Sequence, residues 1–227
     1  GHADLAEDLA EGWWLPVEVD SEARAGQAAR AGEFVQLPES VELLTVAREE
    51  QLAPAFERLR GKPAVGLDVE MRQGRAVLAQ LGTEDCVLLL DLDALADSEA
   101  LGEAMGGLLA DGETMKLGFG VEQDVTCLLR LPGLASCRHR LRGALLDLQL
   151  FAAEKRAARR RGSSVKQEMH GLSLSKLTAE VLGKPLDKSL RMSDWARRPL
   201  REAQRRYAAL DAWVLLGIYE RLGGPAD

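Results

Sequence analysis

Apolar positions along the chain switch between strand-like and helix-like spacing, and each switch marks an element. Residues 41–46 read as a short strand, after which Leu52, Ala55, Phe56 and Leu59 recur at helical spacing within 47–60. Gly61-Lys62-Pro63 breaks that helix. Three strand-like runs follow at 64–71, 76–81 and 87–91, joined by hairpin-sized connections. Next come a helix over 99–110, a strand over 114–119 and a helix over 121–131 that opens after Gly118-Phe119-Gly120. A strand at 144–147 runs into a helix reaching about Arg161. The helix 174–182 is closed by Gly183 and Pro185, and the last helix, 200–222, has Pro199 at its first turn and Gly223-Gly224 beyond its end. Hairpins followed by alternating helices and strands predict an α/β fold, a mixed sheet with helices on its faces.

Residues 1–36 fall outside this pattern. They are rich in Ala, Glu and Gly, with Trp13-Trp14 the one bulky pair. They read as an N-terminal extension whose tryptophans pack on the domain, with Gly1-His2 a tag remnant. Residues 37–224 form the main domain and 225–227 a tail. Ala/Arg-rich 152–161, leading into Gly162-Ser163-Ser164, reads as a basic helix end followed by a mobile loop.

Composition narrows the classes. The 227 residues are 46% hydrophobic, enough for a core that needs no covalent staple. Cys86, Cys127 and Cys137 are odd in number and lack C-x-x-C spacing, against a disulfide framework or structural zinc. An intracellular setting, cytoplasm or nucleus, fits better, and no apolar run is long enough for a membrane. Net charge is −7, yet 155–206 hold 15 Lys/Arg against 5 Asp/Glu, while the rest holds 14 against 31. That asymmetry allows a basic face beside an acidic body.

The chemistry lies in acids placed where apolar residues would be cheaper. Alternation in 64–71 puts Val65, Leu67 and Val69 on one face and Asp68 with Glu70 on the other, the two acids roughly 7 Å apart along the strand. An isolated D-x-E is common on solvent-facing edge strands. Asp211 is more telling. It lies beside the apolar stripe Ala203, Tyr207, Leu210, Val214, Ile218, and no Lys or Arg on its own helix is placed to neutralise it. Such a carboxylate needs a cation from elsewhere. Asp124 stands in the first turn of a helix, where complementing the helix dipole is the simpler reading. Asp147, at a strand end, reads as structural. Taken together, Asp68, Glu70, Asp124 and Asp211 are expected to make a cage for two hard divalent cations such as Mg²⁺. His2, His139 and His170 are scattered, no zinc motif or phosphate-binding loop exists, and serine or cysteine nucleophile schemes lack a histidine partner.

At these residues the sequence resembles the DEDD superfamily of 3′–5′ exonucleases, in its tyrosine-containing subgroup. The motifs are V-G-L-D-V-E (65–70) with A-V-L-A-Q-L (76–81), K-L-G-F-G-V-E-Q-D (116–124) and Y-A-A-L-D-A (207–212). L-G-K-P-L-D-K-S (182–189) and D-W-A-R-R-P-L (194–200) are similar to the segment preceding the third motif in ribonuclease D, the Werner exonuclease domain and Nibbler-type RNA exonucleases. The resemblance implies a ribonuclease H-like fold, a mixed five-stranded sheet flanked by helices on both faces. It implies two divalent cations, Mg²⁺ or Mn²⁺, about 4 Å apart. Asp68 would bridge them, Glu70 and Asp211 would complete one site, and Asp124 would hold the second ion, partly through water. Tyr207 would orient the attacking water, and the product would be a nucleoside 5′-monophosphate.

The expected partner is a single-stranded RNA or DNA 3′ end, with RNA favoured. Lys188, Arg191, Arg197 and Arg198 are candidate phosphate contacts, Arg198 alternatively being structural beside Trp195 and Pro199. The basic segment 155–166 is either a grip on the upstream backbone or a solvated loop. Only ten aromatic residues occur, too few for a base-reading stacking platform. Two other readings stay open: a non-catalytic binding module on the same fold, and an enzyme controlled by residues 1–36, a missing flanking domain or a protein partner.

Overall fold

The computed structural model describes residues 32–131 and 144–224. The expectations for residues 1–31, Cys137, His139 and the tail 225–227 lie outside the described residues. By its contacts the chain divides after Phe34, and all of the described strands and helices belong to the second unit, Val35–Asp227.

Six strands form one mixed sheet in the order β1-β4-β3-β2-β5-β6. They are β1 (Glu42–Val46), β2 (Ala64–Arg72), β3 (Arg75–Gly82), β4 (Cys86–Asp91), β5 (Met115–Gly118) and β6 (Leu145–Asp147). The middle three are antiparallel, whereas β1 joins β4, β5 joins β2 and β6 joins β5 in parallel. The sheet thus has six strands rather than the five implied by the resemblance, because the three residues Leu145–Asp147, ending on the Asp147 cap, pair with β5 and extend the edge.

The helices are α1 (Leu52–Glu57), α2 (Glu99–Ala110), α3 (Val121–Leu128), α4 (Leu148–Arg159), α5 (Val165–Met169), α6 (Leu174–Leu182) and α7 (Glu202–Arg221). Val65, Leu67, Val69, Ala79 and Leu81 bury one face of the sheet against Leu52, Met105 and Leu128 from α1, α2 and α3. On the other face, residues of α7 pack with Leu78, Val87 and Leu89, and with Leu117, Leu148 and Leu177. No helix among the described residues is long and apolar enough to cross a membrane.

Gly162-Ser163-Ser164 form the turn and loop expected there, and a short helix that the pattern of residues did not predict, α5, follows them. Ser164 accepts from the Gln167 amide while the Gln167 side chain accepts from the Ser164 amide, a reciprocal cap present in the S-x-x-Q spacing. Glu168 then accepts from Ser163 Oγ and Arg160, which ties the segment down.

Two glycines set how closely α7 approaches. Gly66 and Gly82 are paired across β2 and β3. A Cβ on Gly66 would run into the carbonyl oxygen of Ala212, and one on Gly82 would lie 3.2 Å from the Ala212–Trp213 backbone. The helix therefore rests on bare backbone, one row of the sheet away from Asp68.

Candidate metal centre

That close approach is what assembles the acids. Asp68 and Glu70 point from β2 toward α7, and Asp211 meets them from the helix, with one ligand atom of each lying within 4.8 Å of the others. Asp124 stands outside this tight trio, on α3. It is buried, at 8% exposure, and close enough for its charge to act on Asp68 and Glu70.

Helix α3 is held in place at its start. Gly120 adopts a left-handed backbone conformation at φ 66°, which favours glycine. The Asp147 carboxylate accepts from the Gly120 and Val121 amides at 3.1 and 3.2 Å, and from Gln149 at 2.8 Å at the start of α4. Asp147 is thus a cap shared by two helices, the structural role expected for it. A cavity of 510 Å³ opens between the β2–β3 turn and α3, lined by Gly74, Gln123, Thr126 and Arg130 among others.

All four acids are harder to ionise than usual. Burial, then the charges of Asp211, Asp124 and Glu70, push Asp68 well up. Burial and Asp211 push Glu70 up to about 8. Burial and Asp147 push Asp124 up to about 7. Burial raises Asp211 as well, against the opposing pull of Lys188. Tyr207 is raised by burial and by Asp211, Glu70 and Asp68, so its hydroxyl stays protonated.

The cation that Asp211 requires comes from Lys188, whose Nζ donates to both carboxylate oxygens at 2.8 and 3.0 Å and lies 5.3 Å from the centre of the Tyr207 ring. Lys188, a candidate phosphate contact by its place in the sequence, is paired within the acidic cluster. Its segment has no regular periodicity, so nothing in the sequence pairs it with a helix 23 residues later. Arg191 is exposed, and its charge acts on Glu70 and Asp211. Arg197 is exposed too.

Arg198, a candidate phosphate contact with a structural alternative beside Trp195 and Pro199, is held within the fold. Its guanidinium donates to both Asp91 oxygens, to the Val77 carbonyl at 2.9 Å and to the Trp195 carbonyl at 2.7 Å, which leaves its donors engaged within the fold. Trp195, thus tethered, is buried and stacks at a tilt on Tyr207, with ring centres 5.6 Å apart. It is a support for Tyr207 that the motif spacing alone does not reveal.

An all-oxygen donor set of converging, mutually repelling carboxylates suits a hard divalent cation, whose charge removes the repulsion. A family model described as a 3′–5′ exonuclease matches residues 43–224. The chain belongs to the 3′–5′ exonuclease family. It is 35% identical over 208 residues to the human exonuclease mut-7 homolog, covering 83% of this chain and 23% of that protein. It is 32% identical to ribonuclease D of Granulibacter bethesdensis, covering 78% of this chain and 41% of the relative. The chain thus spans less than half the length of these curated relatives. Among solved structures, the Aedes aegypti Nibbler EXO domain superimposes with a TM-score of 0.65 at 27% identity, covering 83% of this chain and 90% of that one.

The raised acids of this exonuclease domain make its stability depend on pH when divalent cations are chelated. From the ordinary carboxylate range near pH 4 up to the folded values of about 7 for Asp124 and about 8 for Glu70, the folded state holds protons that the unfolded chain has released. Stability is therefore present at the acidic end and falls as pH rises through the folded values. Melting in EDTA is expected to drop between about pH 5.5 and about pH 8, and saturating Mg²⁺ to flatten the slope. A flat or rising profile in EDTA would contradict this.

Proposed function

We propose that residues 37–224 are a metal-dependent 3′–5′ exonuclease domain that shortens single-stranded RNA from its 3′ end and releases nucleoside 5′-monophosphates. The observation that carries this reading is the convergence of Asp68, Glu70 and Asp211 within 4.8 Å beside Tyr207. The choice of RNA follows the ribonuclease D relatives. Asp68, Glu70 and Asp211 would hold one cation, Mg²⁺ or Mn²⁺, and Asp68 with Asp124 a second. Bound there, such ions acidify water and stabilise negative charge on a phosphate.

Tyr207 sits one helical turn before Asp211, on the same side of α7. With its proton held tightly it is a poor base, and it serves by orienting the attacking water through a hydrogen bond. Tyr207→Phe is expected to lower the turnover rate by about 100-fold. Mn²⁺ affinity, measured by titration calorimetry, is expected to stay as in the wild type. An unchanged rate would remove Tyr207 from the chemistry. Arg191 and Arg197, both exposed, are the proposed backbone contacts.

The overall test is a gel time course on 5′-labelled single-stranded RNA and DNA of one sequence, in Mg²⁺, Mn²⁺ or EDTA. Metal-dependent shortening from the 3′ end, faster on RNA, is the expected result. Faster shortening of DNA would reverse the substrate assignment. A folded protein that binds the polymer without cutting it in any metal would favour the binding-module reading.

A further inference from the structure

Gln80, on β3, is completely buried, and among the described residues neither its Nε2 nor its Oε1 has a hydrogen-bond partner. Such a group lowers stability, and its neighbours along this face of the strand, Leu78 and Gly82, do nothing to satisfy it. Its position explains its retention. Gln80 is in register with Asp68 on β2 and with Leu89 on β4. Residues opposed in this way share a face, with Cβ atoms about 5 Å apart. Leu89 belongs to one hydrophobic cluster with Ala208 and Ala209, against which Tyr207 packs, so the row that carries Asp68 and Gln80 runs beneath α7, at the floor of the acidic cluster. The Asp68 carboxylate sits among three other acids whose charges act on it.

We propose that Gln80 is a positioning residue for Asp68, its carboxamide N–H being the donor that fixes how that carboxylate presents its oxygens to a cation. The inference rests on the cation-binding reading above. The outermost torsion of a glutamine is broad and roughly two-fold, so the amide can turn without moving the strand. A neutral donor suits this place. It orients the carboxylate without supplying a charge that would compete with the cation, as a lysine would. Outer partners of this kind affect metal affinity by about 10–100-fold.

The test compares the full chain with its Gln80→Met variant, which conserves volume and removes the amide. In EDTA the variant is expected to melt about 2–4 °C higher, because an unsatisfied buried group is gone. Its Mn²⁺ affinity by titration calorimetry is expected to be about tenfold weaker. Equal Mn²⁺ affinity in the two proteins would reduce Gln80 to packing and overturn the inference while leaving the metal centre standing. A wild type that binds no Mn²⁺ would overturn both. Should the variant not fold, the wild-type protein answers by ¹⁵N NMR: the Gln80 side-chain amide resonances are expected to move when Mg²⁺ is added, and resonances that stay put would overturn the proposal.

Discussion

Asp68→Ala is expected to slow 3′-end shortening by at least about a thousandfold, above the loss from removing a single hydrogen-bond donor, because the substitution takes away the acid on which the others converge. Asp68 is the member of the cluster that feels Asp211, Asp124 and Glu70 together. On the proposed reading, its loss would leave Glu70 and Asp211 with part of a cation site and Asp124 without Asp68 as a partner. The fold is expected to survive. Removing one of several crowded, mutually repelling carboxylates relieves the cost of bringing them together, so the variant should melt at or above the wild-type temperature in EDTA. The gel time course on labelled RNA and a thermal melt of the same preparation check both halves. A well-folded variant cutting within tenfold of the wild-type rate would remove the acidic cluster from the mechanism.

The second large effect is on stability. Arg198→Ala is expected to lower the melting temperature by about 10 °C, corresponding to about 3 kcal/mol. The Asp91 side chain is 7% exposed and that of Arg198 27%, so removing the guanidinium leaves a carboxylate buried without its partner. The same change releases the carbonyls of Val77 and Trp195 and loosens the support under Tyr207. The figure sits at the low end for a buried pair, because the partial exposure of Arg198 lets water screen some of the charge. Arg197→Ala, one residue away and exposed, is expected to leave the melting temperature within about 1–2 °C. Were Arg198 a phosphate contact, its loss would instead weaken RNA binding and reduce the salt dependence while melting stayed unchanged. Thermal melting of the two variants side by side decides between these outcomes.

The contrast between these neighbouring arginines shows what local pattern can and cannot carry. Helices α2 and α6 are readable end to end, because Ser98 and Ser173 cap their starts and their apolar residues recur at helical spacing. The strands β2, β3 and β4 follow from alternation and turn residues. Helix α5 was legible only through its cap, since five residues are too few to show a period. The strand β6 is visible as an apolar run, but its pairing with β5 is a long-range contact.

The acids were legible for a related reason. A carboxylate on the inward face of a strand or helix conflicts with the local period, and that conflict is written in the sequence itself. Which acids meet, and what neutralises them, is not written there. Asp211 reaches Asp68 because Gly66 and Gly82 admit the α7 backbone, and Asp124 stays a step farther out because its helix starts from the cap on Asp147. Lys188 and Arg198 come from one irregular segment, yet one joins the acidic cluster and the other braces the sheet. Gln80 looks like an ordinary strand residue until its register with Asp68 is known. The sequence by itself determined the fold class, the element order and the identity of the acids, since these depend on periods of two and 3.6 residues and on residue type. Tertiary structure alone decided the distances, the cation partners and the unpaired amide, since these depend on contacts between residues far apart along the chain, which no local period encodes.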